Sequence, residues 1–360
     1  MIIYVLYFIF IAILAIQYEF IPFKSKYLLL VVIILLSLLA GFRTPDISKD
    51  YYGYKYFFDN IYNLIDDNVS TVLTVVEPGF IAIVIFFRNL FAANYGVAIM
   101  LFYALTSLLI KVFVINRFSN NPYLTLLFYF SYFFLFYEMT QIRIGLASAI
   151  FLFSLSSFLN NKRVAFVGLI LFATLFHYSA IFYLIILIFN LDTFNKKVYA
   201  GVLILSIVLG VLKLPILNLL GNFDPSLISD KFSNYVDAAE NGVVVNVFNT
   251  VNICNMFCCL YFIFFIKDSV IINDKKLVFF LKCNLLSIFL LSFLSGAPAF
   301  ALRFSQLFSI AQIFLFTYLV KYLPFKKWNI FFLILIAGIF FYITGFHSDL
   351  LKPYEIIKIK

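Results

Sequence analysis

Apolar runs close to the roughly 20 residues that a helix needs to cross hydrocarbon follow one another along this chain, from residues 2–19 to residues 328–346. The runs are continuous rather than alternating, so they read as helices and not as barrel strands. The chain has 360 residues, of which 64% are hydrophobic and only 12% charged, against roughly half and a quarter in soluble domains. This excludes a soluble fold. The expectation is an all-α, polytopic integral membrane protein, a single domain over residues 1–360, with about 10–12 transmembrane helices, two large outer loops and short re-entrant or broken helices. The first run lacks a basic leader and a small-residue cleavage site, so it reads as a retained span.

A formal charge of +9 would suggest nucleic acid for a soluble protein. Here Lys and Arg gather in short loops between apolar runs, where they set topology, and no nucleic-acid partner is expected. Cys254, Cys258, Cys259 and Cys283 lie in or near apolar runs without paired CxxC spacing or His partners, which argues for packing and against a metal. There is no Gly-rich phosphate loop, nucleotide-fold signature or internal repeat, and no cofactor is expected.

Charge asymmetry assigns the sides. Residues 43–77 hold Asp46, Asp50, Asp59, Asp66, Asp67 and Glu77 against Arg43, Lys49 and Lys55, which suits an outer loop. Residues 217–246 form the second outer loop, with Asp224, Asp230, Asp237 and Glu240 against Lys231. After Glu77-Pro78-Gly79, the apolar run 80–92 is short and interrupted by Arg88, so a re-entrant or interfacial helix is expected. Residues 164–190 are too long for one straight span, yet Lys162 and Arg163 before them and Lys196 and Lys197 after them both read as cytoplasmic. A short-helix hairpin with His177 and Ser179 at its outer tip satisfies both flanks; one tilted helix is the rival reading.

With this topology the isolated polar groups at membrane edges converge on the outer face: Arg43 with Asp46 and Asp50, Glu77, Gln141 with Arg143, His177, and Arg303. Ionisable groups are costly in hydrocarbon and point to function there. A guanidinium is permanently charged and forked, which suits phosphate held at a lipid boundary. Asp46, Asp50, Glu77 and His177 are candidate general bases. Plainer readings stand beside these. Arg88 and Arg143 could snorkel to headgroups, His177 could be a packed core histidine, and Glu77 could be a helix N-terminal carboxylate. Tyr51, Tyr52, Tyr54 and Tyr56 could form an interfacial belt or stack on sugars.

Several motifs resemble the EpsG-type branch of the Wzy-like bacterial polysaccharide polymerases. They are Gly41-Phe42-Arg43 followed by Asp46, Asp50 and Tyr51; Glu77-Pro78-Gly79-Phe80; Gln141-Ile142-Arg143-Ile144-Gly145-Leu146-Ala147; and Phe176-His177-Tyr178-Ser179-Ala180. The Arg303 span and Pro353-Tyr354 agree more loosely, and the Gln precedes the Arg where family members often read Ile-Arg-Gln. The resemblance implies a glycosyltransferase in the bacterial cytoplasmic membrane with its active site facing the periplasm or exterior. It would move a growing O-antigen, capsular or exopolysaccharide chain from undecaprenyl diphosphate to a lipid-linked repeat unit. It implies Arg43, Arg143 and Arg303 as diphosphate ligands, and Tyr51, Tyr52 and Gln141 as glycan contacts. The proton acceptor would be His177, Asp46, Asp50 or Glu77. Its partners would be the undecaprenyl-diphosphate-linked oligosaccharide, the lipid bilayer, and a chain-length regulator and flippase of the same pathway. A lipid-linked oligosaccharide flippase and an O-antigen ligase are the alternatives. For the topology, single cysteines replacing Asn60 and Asn234 in a Cys-free background are expected to react with an impermeant maleimide in intact spheroplasts. Labelling only after permeabilisation would overturn it.

Overall fold

The computed structural model describes residues 1–21, 26–48, 50–91, 93–213, 245–348, 350 and 352–357. Lys24, Lys49 and nearly all of the expected second outer loop, with Asn234, lie outside these residues. Among the described residues there are helices and one isolated β-bridge, Arg43 to Ile356. Among the described residues five helices are long and apolar enough to cross a membrane: Ile2–Phe20, Tyr95–Phe118, Ile142–Leu159, Lys275–Phe293 and Lys326–His347. A sixth counts if Pro298–Ser309 and Gln312–Tyr322, bent by 48°, are one span. The protein is an all-α, polytopic membrane protein. Several other apolar runs are cut into helices of 10–17 residues. Pro at a first helical position (Pro78, Pro122, Pro298) starts three of the helices.

The chain divides into two compact units, Met1–Leu184 with Leu319–Lys360, and Ile185–Tyr318. The first contains α1 (Ile2–Phe20), α2 (Lys26–Gly41), α3 (Tyr51–Val75), α4 (Pro78–Leu90), α5 (Tyr95–Phe118), α6 (Pro122–Phe128), a π-turn (Tyr129–Phe134), α7 (Leu135–Tyr137), α8 (Ile142–Leu159) and α9 (Arg163–Thr174). α5 is its centre, with α2 and α8 packed on it, while α6 lies on α1. Asn121 fixes that last contact: its carbonyl oxygen caps the Leu124 amide at 3.0 Å and its amide donates to the Ala15 carbonyl at 3.0 Å.

The second unit contains α10 (Lys196–Leu212), α11 (Thr250–Phe265), α12 (Asp268–Ile272), α13 (Lys275–Phe293), α14 (Pro298–Ser309) and most of α15 (Gln312–Tyr322). α13 is its axis, contacted by α10, α11 and α14. Phe280 of α13 stacks on Phe314 at 4.4 Å, and Asn284 donates to Cys259 at 3.3 Å. Back in the first unit, α16 (Asn329–Tyr342) packs against α1 and the π-turn.

The first expected outer loop is a helix over most of its length. In α3 the buried side chains are Tyr51, Tyr54, Phe58, Ile61 and Val72. The first four recur at helical spacing, so a chain segment rich in acids still presents one apolar stripe. At Asn68 the backbone leaves the helix, and the Asn68 side chain accepts from the Thr71 amide at 3.2 Å, restarting it. Arg88, read from sequence as a snorkelling residue, instead donates to the Phe58 carbonyl at 3.1 Å and lies over Tyr62, clamping α4 to α3.

The chain reverses at His177, as the hairpin reading requires. α9 returns along α8, with Phe166 against Phe158 at 5.1 Å. At the other end of α8, Arg143 and His177 meet on one carboxylate. Beyond His177 the chain continues as a 3-10 helix, Tyr178–Ile188, and Tyr183 stacks on Phe151 at 3.8 Å. Phe151 is about 12 Å down α8 from Arg143 at 1.5 Å per residue, and Tyr183 is about 12 Å beyond His177 at 2 Å per residue. Those distances match only if the second arm descends beside α8. α9, with 12 residues, is about 18 Å long and does not cross the hydrocarbon alone.

A buried ion pair holds the start of α8 to α5. Lys111 Nζ donates to Glu138 Oε1 at 2.8 Å, Ser107 Oγ at 2.9 Å and the Tyr129 hydroxyl at 2.8 Å. Ser107 and Tyr129 in turn donate to the Glu138 carboxylate. All three ammonium protons are thereby satisfied. Lys111→Met alone leaves Glu138 buried and uncompensated, at an expected cost of about 3–5 kcal/mol. Lys111→Met with Glu138→Leu is expected to recover most of it, measured as the thermal midpoint of the detergent-purified protein. A double variant no more stable than the single one would refute this account.

Candidate active site

Glu77 sits between α3 and α4, at the N-cap position of α4, with Pro78 following. It makes no side-chain cap bond there. Its carboxylate turns inward instead. One oxygen pairs with Arg143 Nη1 at the first turn of α8. The other accepts from the Tyr178 amide at 3.3 Å and lies 3.2 Å from His177 Nδ1. Burial raises the Glu77 pKa, and the His177 hydrogen bond and the Arg143 charge more than offset it, so the net shift is downward. Glu77 is therefore a carboxylate, and it accepts from Nδ1–H. That leaves Nε2 of a neutral His177 with the lone pair.

The Glu-Pro-Gly order has a geometric reason. Gly79 N–H donates to the Leu175 carbonyl at 2.8 Å, and a Cβ on Gly79 would stand 2.6 Å from that oxygen. The absence of a side chain lets α4 touch the turn that carries His177. Arg143 lies over the rings of Tyr54 at 5.7 Å and Phe80 at 5.4 Å, which hold the guanidinium plane between α3 and α4.

The other residues singled out from sequence fall into four groups. Arg43 and Tyr51 are brought close to this centre through α3: Tyr51 and Tyr54 are one turn apart, Tyr51 under Arg43 (5.5 Å) and Tyr54 under Arg143. Arg43 is fully buried, and burial pushes its guanidinium down to about 10 against the opposing influence of Tyr51, Tyr54, Tyr4 and Tyr354. Asp46 and Asp50 are exposed at the approach to α3, where Asp46 accepts from the exposed Tyr52 hydroxyl and the Asp50 carbonyl accepts from the Tyr54 amide at 3.1 Å. Gln141 is the half-buried N-cap residue of α8, its amide bonded to the Phe136 carbonyl at 2.7 Å. Arg303 is exposed on α14, in the other unit.

Three participants escaped sequence reasoning as members of the centre: the Tyr178 amide, Gly79 and Tyr54. A backbone donor leaves no mark in sequence. Gly79 and Tyr54 do leave one, the glycine beside a Glu-Pro pair and the spacing of Tyr51 to Tyr54 along an apolar stripe. Gly79→Ala is expected to push α4 off the 175–178 turn and to destabilise the protein by about 1–3 kcal/mol. Gly168→Ala, in open space on α9, is expected to be neutral or slightly stabilising. Thermal unfolding of the two purified variants compares them, and equal midpoints would remove the steric argument.

A family model described as the EpsG family matches residues 26–356. No curated protein and no solved structure matches the chain. The family match takes in both units and every residue of the centre, so the chain belongs to the EpsG family of polysaccharide polymerase-like membrane proteins.

Proposed function

We propose that the protein is a lipid-to-lipid glycosyltransferase that polymerises an O-antigen, capsular or exopolysaccharide repeat on the outer face of the cytoplasmic membrane. The observation that carries the reading is the Glu77 carboxylate held between Arg143 and His177 Nδ1. Of the four candidate bases, this geometry favours His177 as proton acceptor, with Glu77 orienting the ring and setting its tautomer. Asp46 and Asp50 are exposed at the approach to α3.

The acceptor is a non-reducing hydroxyl of a lipid-linked repeat unit, and the donor is the glycan on undecaprenyl diphosphate. The hydroxyl oxygen bonds to the donor's anomeric carbon while the bond from that carbon to the diphosphate oxygen breaks, its electron pair leaving with the diphosphate. His177 Nε2 takes the hydroxyl proton. The energy comes from the glycosyl–diphosphate bond, so no nucleotide is consumed. Tyr52, exposed at the start of α3, and Gln141, two residues before Arg143, are the proposed glycan contacts. A chain-length regulator and a flippase of the same pathway are the proposed partners.

Deleting the gene separates this function from its rivals. A polymerase is expected to leave single repeat units on the lipid carrier, facing outward, with no polymer. Loss of all outward-facing units would make the protein a flippase, and polymer retained on the carrier but missing from its final acceptor would make it a ligase. With purified enzyme and a lipid-linked repeat unit, His177→Gln is expected to lower polymerisation by about 100- to 10,000-fold per folded protein. Glu77→Gln can offer its amide proton to Nδ1 and reverse the tautomer, so a loss of similar size is expected. A loss under about tenfold for His177→Gln would take the imidazole out of the chemistry.

A further inference from the structure

Among the described cations of the first unit, Lys111 and Arg43 are fully buried and Arg143 is mostly so, and two of these three are neutralised. Lys111 has Glu138 and Arg143 has Glu77. Arg43 is as buried as Lys111, yet among the described residues no carboxylate pairs with it. Its Nη1 donates to the Ala40 carbonyl, its Nη2 contacts Met100 Sδ at 3.7 Å, and its Nε has no partner. The Tyr4 hydroxyl, close enough to act on the Arg43 charge, is also buried without a partner. A buried charge without a counter-charge is among the most costly things a fold can hold. A site that is open to an anion part of the time explains its retention.

The cover over this site is light. The C-terminal segment crosses it with two backbone bonds, the Thr44 amide to the Glu355 carbonyl at 3.1 Å and the Ile357 amide to the Phe42 carbonyl at 2.9 Å. Tyr354 adds an edge contact to Tyr4 at 5.9 Å, and the outer side chain, Ile356, is 67% exposed. Arg43 follows the end of the apolar helix α2, which is where a headgroup phosphate lies relative to a membrane helix. A forked donor with a free Nε, beside tyrosine hydroxyls that can each donate a proton, matches the several oxygens of a phosphate.

We propose that Arg43 and Tyr4, roofed by the segment Tyr354–Ile357, form an anion chamber that takes a phosphate or diphosphate group when that segment lifts. The chamber rests on the glycosyl-transfer reading for its physiological ligand, the diphosphate of a lipid carrier. It assigns the anion to Arg43 rather than to Arg143, whose charge Glu77 already holds, or to Arg303.

The test is binding to the full chain in nanodiscs, followed by thermal unfolding. The wild type is expected to gain several degrees, saturably, from inorganic diphosphate, from a polyprenyl diphosphate in the nanodisc lipid, or from both. A response to the lipid alone assigns the headgroup, and a response to both assigns the anion whatever carries it. Arg43→Leu is expected to lose either response and, because it removes an uncompensated charge, to unfold no earlier than the wild type without ligand. Arg43→Lys keeps the charge but not the fork, and about a tenfold weaker affinity is expected. Ile357→Pro deletes the amide that bonds to Phe42, and stopped-flow fluorescence should show several-fold faster association of inorganic diphosphate. The chamber is refuted if the wild type responds to neither probe or if Arg43→Leu responds normally. It is also refuted if Arg43→Leu unfolds several degrees earlier, which would make the guanidinium a structural prop. Unchanged association in Ile357→Pro would overturn the roof. If polymerisation assays fail while Arg43-dependent binding persists, the proposed function falls and the chamber stands.

Discussion

One carboxylate organises the first unit. Glu77 is almost entirely withdrawn from solvent, and it is tolerable there because Arg143 supplies a charge and His177 and the Tyr178 amide face its second oxygen. These groups come from α8 and from the turn after α9, so a single anion joins three separate stretches of chain. Removing the charge of either Glu77 or Arg143 strands the other in a place of low dielectric. The close approach at Gly79 serves the same convergence, since a side chain there would hold α4 away from the turn.

The interior cations of this unit show three different conditions of charge. The Lys111–Glu138 pair is closed: each carboxylate oxygen and each ammonium proton has a partner. Such a network rigidifies the reversal that precedes α8 and has nothing left to offer a ligand. The Glu77–Arg143–His177 centre is partly open, with 24% of the Arg143 side chain and 19% of the His177 side chain exposed. That residual access is what the proposed proton transfer at His177 requires. Arg43 represents a third condition, a buried cation whose neighbours are aromatic rather than acidic.

Short helices are how the chain turns within the apolar bundle and brings such groups together. A 12-residue helix and the 3-10 helix after it each cover only part of the hydrocarbon. Their junction, with His177, is therefore placed where two chain directions meet rather than in the middle of a span. The backbone groups freed at the junction are taken up locally: the His177 amide donates to the Ala173 carbonyl at 3.1 Å, and the Leu175 carbonyl accepts from Gly79.

The sequence by itself determined the helical, membrane-embedded class, because continuous apolar runs admit no other way to satisfy the backbone in lipid. It also pointed to the reversal at His177, because two basic flanks that both read as cytoplasmic suit a short hairpin, while only the packing of Tyr183 on Phe151 decided against a single tilted helix. It could not show that α3 is a helix from its charge content, although the apolar stripe Tyr51, Tyr54, Phe58, Ile61 was there to be read. The tertiary structure alone decided that Glu77, and not Asp46 or Asp50, meets His177 across 100 residues and Arg143 across 66. It alone paired Lys111 with Glu138 and placed Arg43 inside with no carboxylate partner among the described residues. Pairings of that kind depend on how helices far apart in sequence are rotated and staggered against one another. A one-residue turn of a helix moves a side chain by about 100°, and only the packing of complete helices sets that angle.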